Sequence, residues 1–179
     1  MLMRAAYAGS FDPIHAGHID IIRRAVRSFG GITLLLADNP SKTYLLSKTD
    51  RINWARDVLN YAGVNGVVID ILPANDFLAD YCSKNGVTHI VKGLRNGTDL
   101  ESEMTQEWYT KKMNENVETI YFSTNEKYKY LSSSSIKALT KMNRQDFINY
   151  MKKIAFIDGM STERMDDYLW KIHDVYGEF

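Results

Sequence analysis

The sequence has a single cysteine, no net charge and no long apolar run, and each shortage removes a class of protein. Cys82 alone allows no internal disulfide framework and leaves too few thiolates for a structural zinc site. A cytoplasmic location is therefore expected. Lys plus Arg and Asp plus Glu stand at 22 each, so no overall field argues for a nucleic-acid or membrane partner, and neither is expected. No stretch approaches the roughly 18 continuous apolar residues of a membrane span. The opening "MLMRAAYAGSFDP" has one Arg and few apolar residues before a Gly/Asp/Pro loop, so it does not read as a signal peptide. Internal repeats and low-complexity segments are also missing. What is present is an ordinary globular composition, 45% hydrophobic and 25% charged, in 179 residues, enough to bury one sizeable core.

Short apolar runs at 4–7, 32–38, 66–72, 87–92 and 117–123 read as five strands, with helical periodicity between them. "HIDIIRRAVRSF" places Ile19, Ile22, Ala25, Val26 and Phe29 on one face. Arg23, Arg24 and Arg27 fall mostly on the opposite, solvated face, and Gly30 and Gly31 stop the helix. "DRINWARDVLNYAG" carries a stripe of Ile52, Ala55, Val58 and Leu59. Residues 75–86, 98–116 and 132–142 complete the alternation, the last with a serine N-cap. The runs are continuous rather than alternating, as in parallel strands covered on both faces. The expected fold is α/β: a Rossmann-like, doubly wound, five-stranded parallel sheet with C-terminal helices. Residues 1–142 are expected to form one domain, and 143–179 a helical extension packed on it. Phe147, Ile148 and Met151, then Met165, Tyr168, Leu169, Ile172 and Val175, mark two amphipathic helices there. Trp54, Trp108 and the methionines read as core or interface.

In such a sheet ligands bind beyond the carboxyl ends of the strands, and the unusual residues follow strands one, two, four and five. "GSFDPIHAGH" (9–18) opens a helix, so free N–H groups around Gly17 and His18 make an anion site to which His15 and His18 can both donate. A capped turn with exposed histidines is the plainer alternative. A metal pair would need ligands that no other His or Cys cluster supplies, so no metal ligand is assigned. "KGLR" puts Lys92 and Arg95 around a glycine, suited to clamping phosphate, Arg95 as a fork and Lys92 as a point charge. Alone, each would read as a solvated cation, as would Lys42 in "NPSK". "SSSS" needs only one hydroxyl for a helix cap, which leaves others for nucleotide phosphates. Glu103 reads by itself as a solvated charge. Tyr128 and Tyr130 either stack on a base or pack.

"GSFDPIHAGH" resembles the (T/H)xGH signature of the nucleotidylyltransferase superfamily. With "NPSK", "KGLR", "ESEM" and "YLSSSSIK" in that order, the chain from about residue 3 to 140 resembles bacterial pantetheine-phosphate adenylyltransferases. The resemblance implies transfer of AMP from ATP to 4′-phosphopantetheine, with magnesium as cofactor and a hexameric homo-oligomer. It implies ATP contacts at Ser10, Phe11, His15, Gly17, His18, Gly93, Leu94, Arg95 and Glu103. The segment Tyr128, Lys129, Tyr130, Leu131, Ser132, Ser133 and Ser134 is implied for the same ligand. Ser10, Lys42, Leu78 and Lys92 match positions that hold the acceptor, and His18, Lys42 and Arg95 are the expected catalytic residues. Two positions depart from the family. Lys92 stands where it usually has Arg, and His15 where it usually has Thr. His15 is common in nicotinate- or nicotinamide-nucleotide adenylyltransferases, so another acceptor stays open, as does a non-catalytic nucleotide- or coenzyme-binding module.

Overall fold

The computed structural model describes residues 4–39 and 42–177. Its strands are β1 (Ala5–Gly9), β2 (Ile32–Leu36), β3 (Val67–Ile71), β4 (His89–Leu94) and β5 (Glu118–Ser123). Between and after them run α1 (Ala16–Phe29), α2 (Lys48–Tyr61), α3 (Leu78–Asn85), α4 (Gly97–Met113), α5 (Ser133–Leu139), α6 (Arg144–Ile154) and α7 (Thr162–Tyr176). A single 3-10 turn, Glu126–Tyr128, precedes α5. All neighbouring strands pair in parallel, in the order β3-β2-β1-β4-β5. The order reverses between β1 and β4, which is the doubly wound Rossmann-like pattern expected from the sequence.

By internal contacts the chain divides into two compact units that interleave along the sequence. The first holds the described residues of Met1–Ser10, Ile21–Pro40 and Gly66–Thr124, and so the whole sheet. The second holds those of Phe11–Asp20, Ser41–Asn65 and Asn125–Phe179. The C-terminal helices thus group with α2 and with the segment between β1 and the first turn of α1.

The inner strands are mostly apolar, with Ala6, Leu34, Leu35, Leu36 and Val91 fully buried, and Thr33, His89 and Lys92 are their polar members. In the first unit Ala6, Leu35, Tyr81, Cys82, Val87, Ile90 and Val117 form one cluster, with Leu78 packed against it. β3 lies at an edge, and its Val68 is exposed. The second unit is built on Phe147, Ile148 and Met151 of α6 and on Met165, Tyr168, Leu169, Ile172 and Tyr176 of α7. Among the described residues no helix is long and apolar enough to cross a membrane.

Several boundaries differ from the sequence reading. α3 begins at Leu78 rather than 75, because a turn closed by Asp76 N–H on the Pro73 carbonyl uses the preceding residues. β4 spans His89–Leu94 rather than 87–92, so Gly93 and Leu94 are strand residues, not loop. A glycine inside a strand marks a close approach, and a Cβ on Gly93 would lie 3.1 Å from the Ile21 side chain. Arg24 is not simply solvated: it donates to the Ser123 carbonyl at 2.6 Å and lies over the Phe122 ring. α4 ends at Met113 rather than 116 and α5 at Leu139 rather than 142. Trp108 is 57% exposed and is not core.

Candidate active site

In the second unit the turn from Phe11 to His15 leads into α1. Phe11 has φ 47, a left-handed conformation that costs a bulky residue on the order of 1–3 kcal/mol and persists only when its surroundings hold it. Asp12, which sequence reasoning passed over, is 2% exposed. A buried carboxylate needs a cation and donors. Lys137 pairs with its Oδ2 and the Tyr176 hydroxyl donates to its Oδ1. The Pro13 carbonyl accepts from Ser133 Oγ at 2.9 Å, and the Ile14 carbonyl from the Tyr168 hydroxyl. Three successive turn residues are therefore each held by side chains from residues 133–176.

The histidines follow at once. The Ile19 N–H bonds to the His15 carbonyl, so His15 caps α1 and His18 is its third helical residue. The His15 N–H donates to His18 Nδ1 at 3.1 Å, the reach-back of a capping box with an imidazole in place of the usual Glu. An Nδ1 that accepts this bond assigns the neutral ring's proton to Nε2. The two rings stack at 3.7 Å, and Phe11 meets His18 edge-on at 5.1 Å. A Cβ on Gly17 would sit 3.2 Å from the His15 ring, so a larger residue there presses on the stacked imidazoles. The turn thus sets an imidazole whose neutral form carries its proton on Nε2 at the start of a helix, where the dipole favours anions.

In the first unit a charged cluster lies at the carboxyl end of β4. Lys92 is mostly buried and pairs with Glu103 of α4 at 2.7 Å, while donating to Gln106 at 3.2 Å. Arg95 forms a two-pronged fork on Asp99, Nε to Oδ2 at 2.9 Å and Nη2 to Oδ1 at 3.0 Å. That is the geometry in which guanidinium grips phosphate. The buried Tyr7 has its hydroxyl pushed well above the ordinary tyrosine range, first by burial, then by the Glu103 charge, with Arg95 opposing.

Residues 6–139 match the cytidylyltransferase-like family. A phosphopantetheine adenylyltransferase of Fusobacterium nucleatum is 35% identical over 159 residues, covering 88% of this chain and 94% of that protein. One from Dictyoglomus turgidum is 38% identical over 140 residues, 78% of this chain and 85% of that protein. The chain belongs to the phosphopantetheine adenylyltransferase family. A nicotinic acid mononucleotide adenylyltransferase of Plasmodium falciparum, solved with NaAD, superposes with a TM-score of 0.65 over 98% of both chains at 18% identity, and so shares the fold.

As a phosphopantetheine adenylyltransferase the chain is a nucleotidyltransferase, and its other expected site residues fall as follows. Ser10 is half-buried and Lys42 exposed; Pro40 and Ser41 of "NPSK" lie outside the described residues. Leu78 packs on the sheet's apolar cluster. Of the two readings open for the tyrosines, Tyr128 packs, buried with its hydroxyl on the Phe156 carbonyl, whereas Tyr130 is 86% exposed. Lys129 is exposed beside Tyr130, and Leu131 is buried. The serine run is largely committed already. Ser132 and Ser135 form the capping box of α5 and Ser133 holds Pro13, so Ser134 is the exposed one.

Asp12, Asp99, Lys137, Tyr168 and Tyr176 complete the two clusters and were missed as site residues. The sequence did carry a signal for Tyr176: the α7 stripe of Met165, Tyr168, Leu169 and Ile172 continues at helical spacing to 176, not 175.

Proposed function

We propose that the protein transfers the adenylyl group of ATP to 4′-phosphopantetheine, forming dephospho-coenzyme A and releasing pyrophosphate. The observation that carries this reading is the 32–38% identity to phosphopantetheine adenylyltransferases over 78–89% of the chain. The turn that orients His18 is consistent with it.

The acceptor phosphate is already an anion, so the reaction needs neither a covalent nucleophile nor a general base. It needs alignment for attack on the α-phosphorus and neutralisation of charge on the phosphate oxygens. In this reading His18 Nε2–H donates to an α-phosphate oxygen as charge builds there, helped by the N–H groups at the start of α1. Ser10, Phe11, His15 and Gly17 belong to the same nucleotide-binding role. Arg95, with Gly93, Leu94 and Glu103, serves the nucleotide, as do Tyr128–Ser134. Lys42, Leu78 and Lys92 serve the acceptor.

Magnesium enters the proposal with the nucleotide, a hard cation taken by phosphate oxygens and water. Among the described residues no group of three or more His, Cys, Asp or Glu side chains is placed to hold it. A hexameric assembly and a cytoplasmic location belong to the same reading. Exposed Met104, Trp108 and Met113 on α4 suit a surface between copies.

The test is incubation with ATP, magnesium and phosphopantetheine while pyrophosphate is followed, with nicotinamide and nicotinate mononucleotide in parallel because of His15. Turnover with phosphopantetheine alone is expected; no turnover at millimolar acceptor sinks the reading. His18→Ala is expected to cut kcat about 100-fold or more, the usual worth of a preorganised donor. Tight binding without turnover, unaffected by that substitution, would instead mark a non-catalytic binding module.

A further inference from the structure

The last two helices of the chain have no role in the reading above, yet α7 reaches the turn that carries the histidines. Its two buried tyrosine hydroxyls bond there, Tyr168 to the Ile14 carbonyl and Tyr176 to the Asp12 carboxylate. Tyr176 is itself fixed. Its ring stacks on Trp54 of α2 at a 20° interplanar angle, Lys137 lies over it at 5.1 Å, and its carbonyl accepts from Thr140 Oγ1 at 2.9 Å. Trp54 also meets Tyr168 edge-on. Asp12 stands beside Phe11, whose left-handed backbone needs support from outside, and three residues before His15, whose N–H sets the His18 ring. Tyr176 is thus linked to the His18 imidazole through the Asp12 carboxylate and the three residues from there to His15, without touching it.

We propose that Tyr176, with Tyr168, is a positioning residue for His18: α7 sets the conformation of the Phe11–His15 turn and through it the tautomer and aim of the imidazole. The catalytic consequence rests on the proposed adenylyl transfer; the conformational one does not. A packing role alone predicts lower thermal stability with an unchanged imidazole. A positioning role predicts a changed imidazole when only a hydroxyl is removed, because a misplaced donor loses transition-state contact while ground-state binding survives.

The experiment uses the full chain with nitrogen-15 histidine, in the wild type, Tyr176→Phe and Tyr168→Phe. In two-bond proton–nitrogen spectra the wild-type His18 is expected to show one Nε2–H tautomer. In Tyr176→Phe its ring-nitrogen signals shift or broaden toward exchanging forms, while those of His89, in β4, stay in place. Tyr168→Phe, which releases the Ile14 carbonyl instead, moves the same signals. In turnover each variant lowers kcat about ten-fold with the KM for ATP within about two-fold. In a His18→Ala background the Tyr176→Phe loss disappears, since the group it positions is gone. His18 signals unchanged in both variants overturn the proposal whatever the turnover. So does a Tyr176→Phe loss that persists at full size without His18. A wild type inactive with phosphopantetheine overturns the function reading alone, since the histidine signals still decide the positioning.

Discussion

At the scale of single residues, the side chains expected to grip phosphate already grip carboxylate. Asp99 takes the Nε and Nη2 edge of Arg95 and Glu103 pairs with the Lys92 ammonium, so an anionic ligand competes with an internal anion for either cation. Arg95 is partly exposed, which limits such a pair to about 0.5–1 kcal/mol. Asp99→Asn keeps an acceptor for the Arg95 backbone N–H but removes the charge. If Arg95 takes a phosphate, this variant is expected to lower the KM for ATP about two- to five-fold with the melting temperature nearly unchanged. A raised KM would show that Asp99 aims the guanidinium rather than competing for it. The contrast with Asp12 shows what could be read from sequence. The histidines stood out because imidazoles three apart at a helix start have a stated chemistry. Asp12 did not, because its partner Tyr176 lies 164 residues away, and no local pattern encodes that distance.

At the scale of elements, the alternation of strands and helices and the sheet class were legible, because a parallel strand buried on both faces reads as a nearly continuous apolar run. Errors gathered at ends, and each has a local cause. The apolar run ends at 92, but the strand continues through Gly93, where a Cβ would press on the Ile21 side chain at 3.1 Å, so β4 lies two residues further along than its apolar run. The serine run was legible as a cap but not in its division of labour. α5 has seven residues and depends heavily on its first turn, where Ser132 and Ser135 bond reciprocally. Ser132→Ala is expected to cost about 1 kcal/mol, read from the denaturant midpoint. Ser134→Ala, on an exposed hydroxyl, should stay within about 0.5 kcal/mol. Equal costs would mean that the capping box carries no stability of its own.

At the scale of the whole molecule, buried hydroxyls and a buried thiol bias the fold against alkali. Burial pushes the Cys82 thiol from its ordinary 9.0 up to about 11. Tyr7 and Tyr168 are raised above 10.0 foremost by burial, and Tyr81 and Tyr176 by burial and by bonding to Asp70 and Asp12. A group whose pKa is higher folded than unfolded keeps its proton in the native state after the unfolded chain has released it. Its contribution is complete below the unfolded value and is lost as pH rises toward the folded one. The window therefore opens near pH 9 with Cys82 and widens from pH 10 as the tyrosines join. Each proton held back steepens the loss by about 1.4 kcal/mol per pH unit. Denaturant midpoints should be flat from about pH 7 to about pH 8.5 and fall increasingly steeply above about pH 9. A spectrophotometric tyrosinate titration should show the exposed members of the 11 tyrosines ionising first, with the buried ones ionising together as the chain unfolds. A midpoint that stays level to pH 11, or tyrosines that all titrate near 10 in the folded protein, would mean that these groups are not sealed from water as their burial implies.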